Sequence, residues 1–303
     1  MRAAHTYFLW LALLIFRGCH TAPVPPVSPP VVSTPATGPV ETTSPRQLSD
    51  YPWPHTAPFY EFLAGRFPAP AGFTRASVAD RSYGQWLRYL PLRPPAAPVR
   101  GLDGAVLLPG DSPYLAGVID LDLRRNQECA DVIMRLRFEY LRWANREGEI
   151  SVPAGDGVQL SWAKWKQGYR PVERRGRLSL VRSGNVNASR ANFDRYLAAV
   201  FNWCGTYNLA EMGRTVSFGQ LQPGDFFARG GSPGHAVILA DVARDPAGHT
   251  RALLLQGYMP AQSAHLLTPG DGDPWFLLEP GQPVEVPGWG AFQWSNLRRF
   301  EDR

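Results

Sequence analysis

The most regular pattern of apolar positions in the chain runs from Cys129 to Trp143. Cys129, Val132, Ile133, Leu136, Tyr140 and Trp143 recur at helical spacing, Met134, Phe138 and Leu141 widen the stripe, and Arg135, Arg142 and Arg146 fall outside it. This predicts a helix from Ala130 to about Asn145 with Cys129 leading it, and so broad a stripe places that helix at the centre of its domain. A second helix is expected from Ala191 to about Trp203, with Ser189 as N-cap. Between the two, Trp162 to Arg170 reads as an aromatic, basic loop. From Phe218 onward the pattern changes to that of strands. Leu221-Gln-Pro-Gly-Asp225 is a turn into Phe226-Phe227, His235 to Val242 is an apolar strand, Asp245-Pro-Ala-Gly248 is a turn, and Ala252 to Gln256 is the returning strand. Val118 to Leu123 alternates apolar and acidic positions as a half-buried strand does. Residues 51–110 are otherwise irregular and proline-rich, apart from a short helix over Tyr83 to Leu90 that Pro91 ends. The tail around Trp289 and Trp294 is expected to pack back on the domain, and no internal repeat is visible.

The N-terminal pattern differs from all of this. Arg2 precedes the apolar run Tyr7 to Phe16, too short to span a bilayer but suited to the core of a secretion signal. Arg17-Gly18-Cys19 follows and resembles a bacterial lipoprotein signal, which implies lipidation of Cys19 and a membrane-anchored envelope protein, periplasmic or outer-membrane. Secretion with cleavage after Ala22, and an uncleaved anchor, are the alternatives. Residues 20–50 are rich in Pro, Ser and Thr and cannot bury a core. Thirty such residues in polyproline II reach on the order of 90 Å, so this segment reads as a tether or as a leader of no special length. The expected organisation is a signal over 1–19, a linker over 20–50 and a single α+β domain over 51–303.

Composition adds bounds. With 303 residues, 44% hydrophobic and 19% charged, the chain can bury a large core, to which ten Trp, eleven Tyr and fifteen Phe contribute. The formal charge is +5, and only Lys164 and Lys166 are lysines, so the positive charge is almost all arginine and reads as spread along the chain. Without a clustered basic run interleaved with aromatics, nucleic acid is not an expected partner, and weak attraction to anionic envelope polymers stays open. Three cysteines make no disulfide framework. With Cys19 lipidated, Cys129 and Cys204 remain, and their pairing in an oxidising compartment would abolish a nucleophile at Cys129.

Candidate chemistry centres on Cys129. A thiol that leads a helix feels the positive end of the helix dipole, which favours the nucleophilic thiolate, whereas Glu128 and Asp131 oppose it. His235, opening a later strand, can serve as base, and Gln256, on the returning strand, can orient it if the hairpin register puts both on one face. His265 is the weaker alternative orienter. Gln127 and the Cys129 amide can donate to an oxyanion. Trp162, Trp165 and Tyr169 can stack sugar rings, and Tyr258 and Gln262 can line a cleft, although buried aromatics and hairpin caps explain them equally well. The histidines show no metal-ligand spacing and no Cys-x-x-Cys occurs, so no metal is expected. No Gly-x-Ser-x-Gly elbow and no Gly-rich phosphate loop is present, and no cofactor is expected.

A helix-leading Cys129, then Leu221-Gln-Pro-Gly-Asp-Phe-Phe227, then Gly234-His-Ala-Val-Ile-Leu239, in that order, resembles the NlpC/P60 and amidase branch of papain-like cysteine hydrolases. That resemblance implies a central helix packed on an antiparallel sheet, with Cys129 as nucleophile, His235 as base and Gln256 as orienter. A longer resemblance covers about residues 60–300. It is carried by Trp86 to Leu92, Val118 to Asp122, Gln127 with Cys129-Ala-Asp131, Arg135 to Arg137 with Glu139 to Leu141, Gly168 to Arg170, Gly234 to Ile238, and Tyr258 to Gln262. These residues are similar to a bacterial envelope family labelled domain of unknown function 4846, which implies a domain boundary and an envelope setting but no chemistry. The expected function is an envelope-anchored thiol hydrolase acting on cell-wall peptide or an acyl amide. The alternative is a non-catalytic protein of the same fold that binds glycan or peptide or serves as an accessory subunit.

Overall fold

The computed structural model describes residues 47–55 and 58–301, so the expected signal, Cys19 and nearly all of the expected linker lie outside the described residues. The helices that matter to the site are α1 (Tyr83–Arg88), α2 (Cys129–Trp143), α3 (Trp162–Lys166), α4 (Arg190–Trp203) and α5 (Thr206–Glu211). The strands that build the site and its surroundings begin with β1 (Leu115–Val118), β2 (Tyr169–Arg174), β3 (Arg177–Arg182), β4 (Gly213–Thr215), β5 (Phe226–Arg229) and β6 (His235–Arg244). After them come β7 (Thr250–Gln256), β8 (His265–Leu267), β9 (Trp275–Leu278), β10 (Val284–Val286), β11 (Gly290–Phe292) and β12 (Leu297–Phe300).

A central sheet orders its strands β4-β12-β5-β6-β7-β8-β1, every pair antiparallel, with β9 also on β7. The architecture is thus mixed helix and antiparallel sheet. Strand alternation divides its environment in two. Ala236, Ile238 and Ala240 of β6, with Leu253 and Leu255 of β7, share one core with Val132, Ile133 and Leu136 of α2. Val237 and Leu239, with Leu254 and Phe227, face a second core closed by Val284, Val286 and Phe292 of the β10–β11 hairpin. The alanines on the helix side let α2 lie close to the sheet. Gly257, just past β7, serves the same approach, because a Cβ there would come within 2.6 Å of Val132 Cγ2 and 2.9 Å of the Glu128 carbonyl oxygen. α1 is fixed to the sheet by charge: fully buried Asp241 bonds Arg88 at 2.9 Å and Arg75 at 2.6 Å.

Two local expectations are corrected. The half-buried strand read over 118–123 lies instead at Leu115–Val118; beyond it Ile119 makes only a bridge to Leu92, and Asp120 is drawn to His55 at 2.8 Å. The aromatic, basic loop at 162–170 is α3, capped by the Ser161 hydroxyl on Lys164 N–H, followed by the start of β2.

Candidate functional site

Cys129 is the first residue of α2. Glu128, in an extended conformation, is the N-cap, and its N–H donates to Asp131 Oδ2 at 2.9 Å. This places the thiol where the helix has free amides and positive potential. Burial nevertheless dominates and pushes its pKa up to about 11; the amides of Ala130 and Ala236 act to lower it, and the carboxyls of Asp131 and Glu128 to raise it. Cys129 lines one cavity with Pro233 and Gly234, the residues that lead into β6. Asp131 is itself pushed up to about 8, first by burial and then by Glu128, and its Oδ1 is buried without a partner among the described residues.

Cys129 and Asp131 open onto a cavity of about 260 Å³, shared with Cys204, Thr206 and Met259. Cys204 is the second thiol of this cavity. Both cysteines are free, and burial raises Cys204 to about 12. Beyond Glu128 a broader groove of about 680 Å³ continues past Leu102, Leu107, Arg125 and Ala261. Leu102, Leu107 and Met259 expose 50%, 42% and 50% of their surface, which gives the groove an apolar rim.

His235 and Gln256 are brought together: His235 Nε2 lies 2.7 Å from Gln256 Oε1. The contact extends further. Gln256 Nε2 lies 3.1 Å from His265 Nε2, and His265 Nδ1 lies 2.9 Å from the Ser263 carbonyl oxygen. A carbonyl can only accept, so His265 Nδ1 carries the proton and its Nε2 accepts from the Gln256 amide. Gln256 Oε1 then accepts from His235 Nε2–H, which leaves the lone pair on His235 Nδ1. The relay thus fixes the tautomer in which Nδ1 is the basic atom. The pairing of Gln256 with His265 across β7 and β8 makes it. Sequence reasoning ranked His265 as an alternative to Gln256, whereas it stands behind it.

The ring of His235 turns toward the second core, with Tyr258 and Trp289 at centroid distances of 5.0 Å and Phe292 at 6.0 Å. Its neighbour Ala236 faces α2. The imidazole and the start of α2 thus lie toward opposite faces of β6, and among the described residues no hydrogen bond joins His235 to Cys129. Burial lowers the pKa of His235 to about 4, opposed by the Gln256 hydrogen bond and reinforced by His265, and burial lowers His265 to about 4 as well. At neutral pH the site holds a neutral thiol and a neutral imidazole.

A family model described as Domain of unknown function (4846) matches residues 63–299. The chain belongs to that family. No curated protein and no solved structure matches the chain. The span of the domain of unknown function (4846) takes in Cys129, Asp131 and the whole relay from His235 to His265.

The other expected site residues are spread over this family domain, and of them Tyr258 touches His235. Gln127 is wholly buried, its Oε1 accepting from Arg135 at 2.5 Å and its Nε2 without a partner among the described residues. Trp162 and Trp165 belong to the core, their indole N–H groups donating to Glu147 and Asn192, so neither offers a ring face to a sugar. Tyr169 is half-buried under Lys164, 5.0 Å from its ring centroid. Tyr258 packs on His235 and donates to the Gly288 carbonyl at 2.6 Å. Gln262 is buried and bridges to Gly101. The residues that sequence reasoning underrated are Asp131, weighed only as an anion against the thiol, and Trp289, whose contact with His235 has no local signal.

Proposed function

We propose that the chain is a thiol hydrolase of papain-like type that acts at an amide bond through a thioester on Cys129, with cell-wall peptide as the substrate class. The observation that carries this reading is the cavity that Cys129 shares with Gly234, next to a histidine whose tautomer leaves Nδ1 as the free base. In the proposed reaction Nδ1 takes the thiol proton and Sγ attacks the carbonyl carbon. The oxyanion meets the free first-turn amide of Cys129, and the leaving amine takes the proton back from Nδ1. Water then hydrolyses the thioester by the same route in reverse order. The reaction needs Sγ and Nδ1 to meet, a side-chain rotation at the open end of β6. The two-part groove has room for residues on both sides of a scissile bond. The resemblance to NlpC/P60 hydrolases in residue order, and the lipoprotein-like 1–19 segment, support the substrate class and an envelope location.

A second reading is favoured by the resting chemistry. A neutral thiol without a hydrogen bond to imidazole, beside an apolar-rimmed groove, suits a binding module that holds a peptide or glycan without cleaving it. Trapping separates the two. The full chain is incubated with a panel of cell-wall peptide fragments, quenched in acid and analysed by mass spectrometry. The hydrolase reading expects an acyl adduct on Cys129, absent in Cys129→Ala and reduced on the order of a hundredfold in His235→Gln. Fragments retained equally by wild type and Cys129→Ala, with no adduct and no product, establish the binding module instead.

A further inference from the structure

The arginine excess is not spread evenly along the chain. From Lys164 to Arg182 there are seven Lys and Arg against one Glu, +6 net, so the remainder of the chain sums to −1. Most of this stretch is the β2–β3 hairpin, a two-stranded ribbon outside the central sheet. Leu178 and Leu180 turn inward, and the register places Arg174, Arg177, Val172, Ser179 and Val181 together on the opposite, outward face. Arg174 stands directly across from Arg177, and like charges so placed destabilise a ladder. The two-residue turn between them is Arg175-Gly176, with φ of 53° and 74°. Such a turn favours Asn, Asp or Gly first, and an arginine there costs stability. Arg174, Arg175 and Arg177 are exposed, and no ion pair or hydrogen bond of their side chains occurs among the described residues. The neighbouring carboxylate of Asp156 is occupied by the Leu178 N–H at 2.7 Å. Two local rules are broken at one tip for no gain in the fold, which is the pattern of a site kept for a partner.

We infer that this tip docks the chain on an anionic lipid bilayer, its three guanidiniums on lipid phosphates. The arginines sit on a convex hairpin end with no cradle for a single ion, so their complement is an extended array of phosphates. Val181, exposed by 36% and on the same outward face as Arg174 and Arg177, supplies an apolar contact that headgroup regions accept when the ribbon lies on that face. The nearby tryptophans are buried and unable to stack bases, which disfavours single-stranded nucleic acid.

The test is co-sedimentation of the full chain with vesicles of phosphatidylcholine alone and of phosphatidylcholine with phosphatidylglycerol in equal parts. At about 0.1 M salt we expect binding to the anionic vesicles to exceed that to neutral ones by on the order of a hundredfold, and to fall at about 1 M salt. Arg174→Gln/Arg175→Gln/Arg177→Gln abolishes the excess, whereas Arg214→Gln, at an exposed site on β4, changes it less than about twofold. Arg175→Gly separates binding from folding. It lowers anionic binding about fivefold while raising the thermal midpoint, because glycine suits the turn. Equal binding to both vesicle types, an undiminished excess in the triple variant, or retention by a duplex oligonucleotide with none by anionic vesicles overturns the inference.

Discussion

The two faces of β6 solve different problems. Toward α2 the strand offers Ala236 and Ala240, so the helix comes close and Cys129 shares a cavity with the residues that lead into the strand. Away from α2 it offers His235 to a polar relay roofed by Trp289 and Phe292. The near face buries an acid, Asp131, and the far face buries two bases, His235 and His265, and each is held in its neutral form. Burying ionisable groups without their charge costs stability at one end of the pH range or the other, so the two faces limit the protein from opposite sides.

At pH 7 the near face sets the larger effect. Because the Asp131 pKa is raised from 3.8 to about 8, the folded state holds a proton that the unfolded chain releases. The associated stability is complete below pH 3.8 and is lost as pH rises toward 8. Asp131→Asn keeps an acceptor for the Glu128 N–H and removes this loss. It is expected to raise unfolding free energy at pH 7 by about 4 kcal/mol and to flatten the fall in stability between pH 3.8 and about 8, measured by denaturant titration across pH. A fall between pH 3.8 and about 8 that Asp131→Asn leaves unchanged assigns it to groups other than Asp131.

On the far face the sign reverses. His235 and His265 are lowered from 6.5 to about 4, so their contribution is present above pH 6.5 and is lost as pH falls through 4. Each shift is worth about 3 kcal/mol, and because the two repel when charged their joint loss on full acidification is expected to be at least the sum of the two. His265→Gln is expected to shrink this acid limb by about half, read from thermal midpoints between pH 4 and 7. An acid limb of the same depth in that variant assigns it to other groups.

The contrast also marks what the sequence makes legible. α2 and α4 announce themselves through local pattern, and the Ser189 cap is found where it was expected, its hydroxyl accepting from Asn192 N–H. The hairpin of β6 and β7 is similarly local, because its turn residues stand between two apolar runs. Which face His235 occupies is not local. It follows from how α2 packs on the sheet and from the β10–β11 hairpin, elements whose contact no spacing encodes. Gln256 was legible as a partner of His235, but His265 required β8, a three-residue strand too short to show alternation. The β2–β3 ribbon escaped for a different reason: its arginines replace the asparagine and opposed charges by which such a hairpin is recognised.

The pH profile of Cys129 alkylation, resolved from Cys19 and Cys204 by peptide mass spectrometry, tests most directly whether the imidazole serves the thiol. The account predicts two components in the wild type, a plateau above about pH 5 from assistance by neutral His235 and a further rise near 11 from the bare thiolate. In His235→Gln the plateau disappears and the rise near 11 remains. Superimposed profiles for the two proteins would contradict it, leaving Cys129 a buried thiol and His235 a packed side chain.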